Sequence, residues 1–209
     1  MGMKPLGVAT IAGDTQVAHA IAALVLAFIN DPVARWMDDD PHQYLVPIPP
    51  LFRALGTSSF KARGAERTTD GLGVALWLPP GVHGEDEPLK AVIAESIVGE
   101  KQTEVEAIFE RTEHYRPIEP HWYLSLIGVE ALHRNNGCGA RLLQHRLRQC
   151  DRGHLPAYLW SSNPLNITLY ERHGFEIADT IQEGSSPSIF PTLRKRGENS
   201  APNREGDNV

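Results

Sequence analysis

Cysteine is scarce in this chain: among 209 residues there are two, Cys138 and Cys150. Both fall on what reads as one helix, where twelve residues put them roughly 18 Å apart, beyond disulfide reach. A disulfide scaffold is therefore excluded, and two free thiols fit a reducing compartment, the cytoplasm. Metal-ligand spacing is also missing. The nine histidines form no His-Glu-x-x-His array, so no metal is expected. Basic charge is in deficit, with 20 Lys and Arg against 26 Asp and Glu for a net charge of −6. A nonspecific nucleic-acid binder needs a basic face and is disfavoured. The one basic stretch, Arg141 to Arg152, reads as the solvated face of a helix, placed where it can steer an anion. Long apolar runs are absent too. The longest, Ala20 to Ile29, is about half of a membrane span and reads as a buried core helix. No basic-then-apolar leader opens the chain, and Leu6 breaks the N-myristoylation pattern, so the expectation is a cytoplasmic protein without membrane contact.

What is present is ordinary for a globular protein: 41% hydrophobic and 22% charged residues, in a length suited to one α/β domain. Residues 1–196 read as that domain, and the polar stretch 197–209 as a disordered tail. Leu6 to Ala12 reads as a strand, followed by a helix from Thr15 to Ile29 that stops at Asn30-Asp31-Pro32. The Asp38-Asp39-Asp40-Pro41 turn opens a second helical region, interrupted at Pro47-Ile48-Pro49-Pro50 and running towards Leu55. Phe60–Arg67 and Gly71–Leu78 read as an antiparallel pair. Helical spacing returns in Pro88–Val98 and Thr103–Tyr115. From His121 the order is strand, helix (Gly137–Arg152), strand (Pro156–Ser161), helix (Pro164–His173) and two strands near 175–182 and 188–194. Leu143, Leu147 and Cys150 give the first of these helices a buried stripe.

The chemistry concentrates between His121 and Phe175. A buried strand, 121–129, leads into Arg134-Asn135-Asn136-Gly137-Cys138-Gly139-Ala140, which opens a helix. A glycine-rich strand-to-helix turn presents unpaired N–H groups and the positive end of a helix dipole, a phosphate site built from backbone. Gly137 and Gly139 allow close approach, and Arg134 adds charge. A dinucleotide fingerprint would want a third glycine at Leu142, and a P-loop would want Gly-Lys-Ser/Thr. Neither is met. The plain alternative is a tight turn whose glycines only satisfy positive φ. On the later helix Asn163, Asn166 and Tyr170 recur on one face. Tyr170, a phenol with pKa of about 10, is a candidate proton donor near the same site. The plain alternative is that the asparagines cap the helix and Tyr170 borders the core.

At these residues the chain resembles the GNAT N-acetyltransferase superfamily. Its CoA signature, Gln/Arg-x-x-Gly-x-Gly/Ala, is met by Arg134, Gly137 and Gly139. Its companion pattern is met by Asn163, Leu169, Tyr170, Glu171, Gly174 and Phe175. The strand His-Trp-Tyr-Leu-Ser-Leu-Ile-Gly-Val is similar to the puromycin-acetyltransferase-like branch, and the specific match covers about a third of the chain. The resemblance implies an α/β (α+β) fold with a mixed, mostly antiparallel sheet of about six or seven strands flanked by helices. It implies acetyl-CoA as acyl donor and a direct transfer to a primary amine. The backbones of Ile127, Gly128 and Val129 would pair with the pantetheine arm as a strand edge. The loop Asn135–Ala140, including Asn136 and Cys138, would cradle the pyrophosphate. Asn163 would contact CoA and Tyr170 would be the general acid.

Two departures from the family pattern stand out. A helical insertion, 82–120, separates the third and fourth strands, and it is expected to shape acceptor choice or to pack on the sheet edge. The fifth strand reads Ala157-Tyr158-Leu159-Trp160-Ser161, without the glutamate that many relatives use as base. His121 is the candidate base by its ordinary pKa, with Glu119, His83 and Glu130 as further choices. Trp77, Trp122, Tyr123 and Trp160 read as core residues that could instead line an apolar acceptor pocket. The branch favours a small-molecule amine, leaves room for a homodimer, and implies neither nucleic acid nor membrane as partner. A protein or peptide amine is the alternative acceptor, and a CoA-binding sensor without catalysis is the alternative class.

Overall fold

The structure is a computed structural model, described over residues 7–37, 43–97 and 99–196. The expected Asp38-Asp39-Asp40-Pro41 turn, the tail 197–209 and the ends of two elements at Leu6 and Val98 lie outside those residues. Seven strands form one sheet in the order β1-β2-β3-β4-β5-β7-β6. They are β1 (Val8–Thr10), β2 (Ala65–Thr68), β3 (Gly73–Leu78), β4 (Trp122–Val129), β5 (Ala157–Ser161), β6 (Glu176–Ile177) and β7 (Phe190–Arg194). Every neighbouring pair is antiparallel except β4 and β5. The mixed, mostly antiparallel sheet is thus the one expected.

Alternation along the strands builds a core on each face. Val74, Leu76 and Leu126 face helices α1 (Asp14–Ala27), α3 (Ile48–Lys61), α4 (Asp86–Ser96) and α5 (Glu100–His114). Ala75, Trp77 and Leu124 face the other way, onto α6 (Cys138–Arg152) and α7 (Ile167–Glu171). Leu142, Leu143, Leu147 and Cys150 of α6 are buried there. No helix among the described residues is long and apolar enough to cross a membrane.

Three local readings are corrected. The prolines at 49 and 50 do not interrupt a helix; they lie in the first turn of α3, where a missing N–H costs no intrahelical bond. Phe60 belongs to the end of that helix, which runs to Lys61, and the strand begins only at Ala65. Asn30-Asp31-Pro32 ends α1 but also starts a short helix, α2 (Pro32–Trp36), with Asp31 as its N-cap and Pro32 at its first turn. In addition, Arg146 departs from the solvated face expected of the basic stretch. It is buried, ion-paired with Glu66 of β2 and set 4.3 Å over the Trp122 ring. This buried pair pins α6 against the sheet and so helps aim its N-terminus.

The feature that positions the site is a divergence of strands. β4 and β5 pair only at Trp122↔Ala157 and Tyr123↔Tyr158. Beyond Tyr123 they separate. On its other side β4 stays paired with β3, but the register shifts between Leu76 and Trp77, leaving Ser125 as an extra residue on β4. Such a bulge bends and twists the strand that carries it. Ser125 Oγ donates to the Leu76 carbonyl at 3.1 Å, which holds the irregularity in place.

Candidate active site

Two cavities open where β4 and β5 part. The larger encloses about 1710 Å³ counting its open mouth, and the smaller about 820 Å³ on the same basis. They share walls at Phe28, Asp31, Ile127, Asn166 and Tyr170.

The larger cavity lies over the glycine loop. Gly137 caps α6 in the left-handed conformation, φ 77° and ψ 5°, and no side chain caps the helix. Asn135 is also left-handed, with φ 64°. The first bond into the helix runs from Arg141 N–H to the Gly137 carbonyl at 3.0 Å. The N–H groups of Cys138, Gly139 and Ala140 therefore precede the intrahelical ladder, as at any helix start. All three residues line the cavity with Asn135 and Gly137. Among the described residues a Cβ at Gly137 would meet nothing closer than 4.0 Å, which leaves that space open to a ligand. The opposite wall carries Ile127, Gly128 and Val129, whose strand edge has no partner strand among the described residues once β5 has turned away. Gly128 has a second duty: a Cβ there would come within 2.7 Å of Ala27 Cβ and 3.1 Å of Leu24 Cδ2 on α1. Backbone N–H groups at a helix start, an open approach and a free strand edge fit a pyrophosphate followed by an amide-bearing arm.

Arg134 lines this cavity but is already engaged. Its guanidinium donates to the carbonyls of Ala27 and, at 3.4 Å, Val129. It ties the end of α1 to the end of β4 as well as adding positive charge. Asn163 and Asn166 also reach the wall. Asn163 Oδ1 accepts from Leu165 N–H at 3.0 Å, capping a single 3₁₀ turn, Pro164–Asn166, that precedes α7. Asn136 is not on either wall.

Tyr170 stands at the junction of the two cavities and is only 4% exposed. Its ring meets Phe175 edge-on at 6.1 Å. Burial, and then the negative charge of Asp31, push its phenol well above the ordinary value, so it stays protonated through neutral pH.

His121 is placed elsewhere. It precedes the closed end of the β4–β5 pair, lines neither cavity, and its Nδ1–H donates to the Glu119 carbonyl at 2.8 Å. Six residues of strand at about 3.3 Å each put it roughly 20 Å from Ile127. Burial lowers its pKa. The direction of β4 carries it away from both cavities, so the geometry lends the role of base no support. Glu119, His83 and Glu130 also lie off both walls. Of the aromatic candidates, Trp160 lines the smaller cavity, while Trp77 is fully buried core.

Among the described residues, the carboxylate that lines the cavities is Asp31, which reads in the sequence only as a helix boundary. It is 7% exposed and lines both cavities. Its Oδ1 accepts from the N–H groups of Val33 and Ala34 at 3.1 Å each, and Ser162 Oγ–H donates to Oδ2 at 2.6 Å. Burial raises its pKa against the opposing pull of these hydrogen bonds and of Arg134. The Asp-Pro pair is a readable capping signal, but its neighbour Ser162 is 131 positions away in sequence.

Comparison with known proteins bears on the fold and the family likeness. Residues 103–175 match the model of the acetyltransferase (GNAT) family. An uncharacterized N-acetyltransferase of Schizosaccharomyces pombe is 27% identical over 188 residues, covering 78% of this chain and 71% of that protein. Among solved structures, the histone acetyltransferase HPA2 and related acetyltransferase from Corynebacterium glutamicum superposes with a TM-score of 0.66 at 22% identity. That superposition covers 94% of this chain and 99% of the other. Arylalkylamine N-acetyltransferase 2 from Aedes aegypti gives a TM-score of 0.61 at 13% identity, over 91% and 98% of the two chains. At such identities the structural likeness shows the fold.

Proposed function

We propose, for this member of the acetyltransferase (GNAT) family, that the enzyme transfers the acetyl group of acetyl-CoA directly to the primary amine of a small molecule. The observation that carries the reading is the junction of the two cavities at Tyr170. One cavity has the backbone for a pyrophosphate and a pantetheine arm; the other has room for an acceptor. A thioester threaded along β4 from the glycine loop would bring its carbonyl to the shared wall.

Acetyl-CoA supplies an activated acyl group on a thiol leaving group. The residues Asn135, Gly137, Cys138, Gly139 and Ala140 would hold its phosphates, with Arg134, Asn163 and Asn166 completing the wall. Asn136, although in the motif, would act only through the turn it belongs to. Ile127, Gly128 and Val129 would orient the arm. Tyr170 would give its proton to the sulfur as the thiolate departs, a contribution made in the transition state and hardly in the ground state. The insertion between β3 and β4 supports a small acceptor. Its α5 contributes Val105, Ile108 and Phe109 to the smaller cavity, so residues 82–120 would set acceptor choice while leaving the cofactor wall alone. We treat residues 1–196 as one functional unit.

Calorimetric titration of acetyl-CoA tests the site. Gly137→Asp would place a carboxylate where phosphate is expected and should weaken binding strongly. Gly137→Asn has nearly the same shape and tolerates the left-handed conformation about as well. It should lose much less. Equal affinity in wild type and a folded Gly137→Asp variant would refute the assignment of the loop.

A further inference from the structure

The smaller cavity differs from the larger in chemistry as well as size. Its walls are mostly apolar, built from side chains such as Phe28, Leu51, Phe52, Leu55, Ile108 and Phe109. Its serines are largely committed to the protein. Ser125 Oγ donates to the Leu76 carbonyl at 3.1 Å and Ser161 Oγ to the Asn163 carbonyl at 3.0 Å. Among the described residues that line it, Asp31 is the only acidic one, and none is Lys, Arg or His. A carboxylate offers about four acceptor positions. Val33 N–H, Ala34 N–H and Ser162 Oγ–H occupy three around Asp31. Among the described residues no donor takes the fourth, which leaves it for a donor arriving from the cavity.

The α5 wall is fixed rather than loose. Ser185 donates to Glu104 through its N–H at 3.1 Å and its hydroxyl at 2.9 Å, and Trp36 Nε1–H donates to Ser185 Oγ at 3.0 Å. Arg111 is ion-paired with Glu183 on the same loop. These contacts tie α2, α5 and the loop before β7 to one another, which restricts the cavity to a compact guest.

Resting on the acetyl-transfer reading above, we infer that this cavity takes a monoamine with a compact apolar body, an aralkyl or branched alkyl amine, and that Asp31 receives its ammonium. Among the described residues the cavity offers one buried carboxylate, which matches a single cation. The second charge of a diamine would have to lie against apolar wall without a partner, which is unfavourable. The backbone of a peptide would bring polar groups that these walls leave unpaired.

Asp31 would also take the first proton. The ammonium N–H⁺ passes its proton to Asp31, and the freed nitrogen lone pair forms the C–N bond to the acetyl carbon as the C–S bond breaks. The sulfur receives the Tyr170 hydroxyl proton, and the second proton leaving nitrogen restores Tyr170. The proton on Asp31 then escapes to solvent. The balance is one ammonium and one thioester giving one amide, one thiol and one released proton. The raised pKa of Asp31 favours this step, since a more basic carboxylate is a better proton acceptor.

The test measures CoA thiol release by the full chain with 2-phenylethylamine, 3-methylbutylamine, 1,4-diaminobutane and a short peptide with a free N-terminus. The two apolar monoamines should exceed the diamine and the peptide in kcat/KM by at least about tenfold, the scale of modest pocket selectivity. Asp31→Asn keeps an oxygen to cap α2. It should lower kcat/KM for 2-phenylethylamine by ~10²-fold or more while leaving acetyl-CoA affinity, measured by calorimetry, unchanged. As a binding readout apart from turnover, 2-phenylethanol carries the same body without the ammonium. It should compete equally well against wild type and Asp31→Asn, which also shows that the variant's cavity is intact. A preference for the diamine or the peptide, or undiminished amine turnover by Asp31→Asn, would overturn the inference and leave acetyl transfer standing. Failure of wild type to bind acetyl-CoA would remove both readings.

Discussion

Tyr170→Phe removes one oxygen and keeps the ring, so its effects on stability and on turnover can be worked out separately. For stability, the ring's edge-on contact with Phe175 at 6.1 Å would be retained. No hydrogen bond from its hydroxyl to any described residue is lost, so no buried partner is orphaned. With no partner left unsatisfied, the change in unfolding free energy should stay below ~1.5 kcal/mol. For turnover, the hydroxyl would be needed as the C–S bond breaks. Removing a positioned general acid typically costs ~10²–10⁴-fold, or about 2.7–5.5 kcal/mol of barrier. Acetyl-CoA affinity should barely move, since the contribution is confined to the transition state. The pH dependence separates the two states of the leaving group. Because the phenol pKa is raised, wild type keeps its donor throughout the neutral range. The deficit of the variant should therefore be largest at low pH and shrink above ~8.5, near the pKa of a simple thiol, where the thiolate departs unaided. The assay is CoA thiol release across pH, with thermal unfolding as control. Wild-type turnover by a folded Phe variant, under conditions where chemistry limits the rate, would remove Tyr170 from the mechanism.

Two further outcomes follow from packing and charge. Gly128→Ala would force a methyl to within 2.7 Å of Ala27 Cβ; overpacking of this kind costs about 1–3 kcal/mol, readable as a lower urea midpoint. An unchanged midpoint would mean that α1 moves away from β4 without penalty. Asp31→Asn should gain stability relative to wild type as pH rises. The folded-state pKa of Asp31 lies above its ordinary value of 3.8, so the wild-type group favours folding most below 3.8 and loses that contribution as pH rises through the folded pKa. Asparagine has no proton to lose. Unfolding free energies of the two proteins that stay parallel from pH 3 to pH 7 would contradict the assigned shift.

How much of this was legible beforehand depends on the range over which each signal acts. The order of strands and helices after His121, the buried stripe of α6 and the glycine loop were readable because periodicity and turn chemistry act over a few residues. So was Tyr170 as a candidate, since its spacing from Asn163 and Asn166 belongs to one short segment. The prolines at 49 and 50 were visible but ambiguous: a proline that breaks a helix interior is harmless in its first turn, and only the start of α3 at Ile48 decides which applies. The rest is non-local. β4 leaves β5 beyond Tyr123, beside a bulge against β3 and at no motif, and the cavities that open there lie away from His121 and include Trp160 in a wall. Arg146 looks like its exposed neighbours until Glu66, 80 positions earlier, is folded beneath it. Asp31 reads as a cap and nothing more. Its burial, its bond from Ser162 and its place between two cavities arise from packing α2 against the open end of the sheet. A sequence lists the groups that can ionise, but the low-dielectric surroundings that change what they do come only from the folded contacts around them.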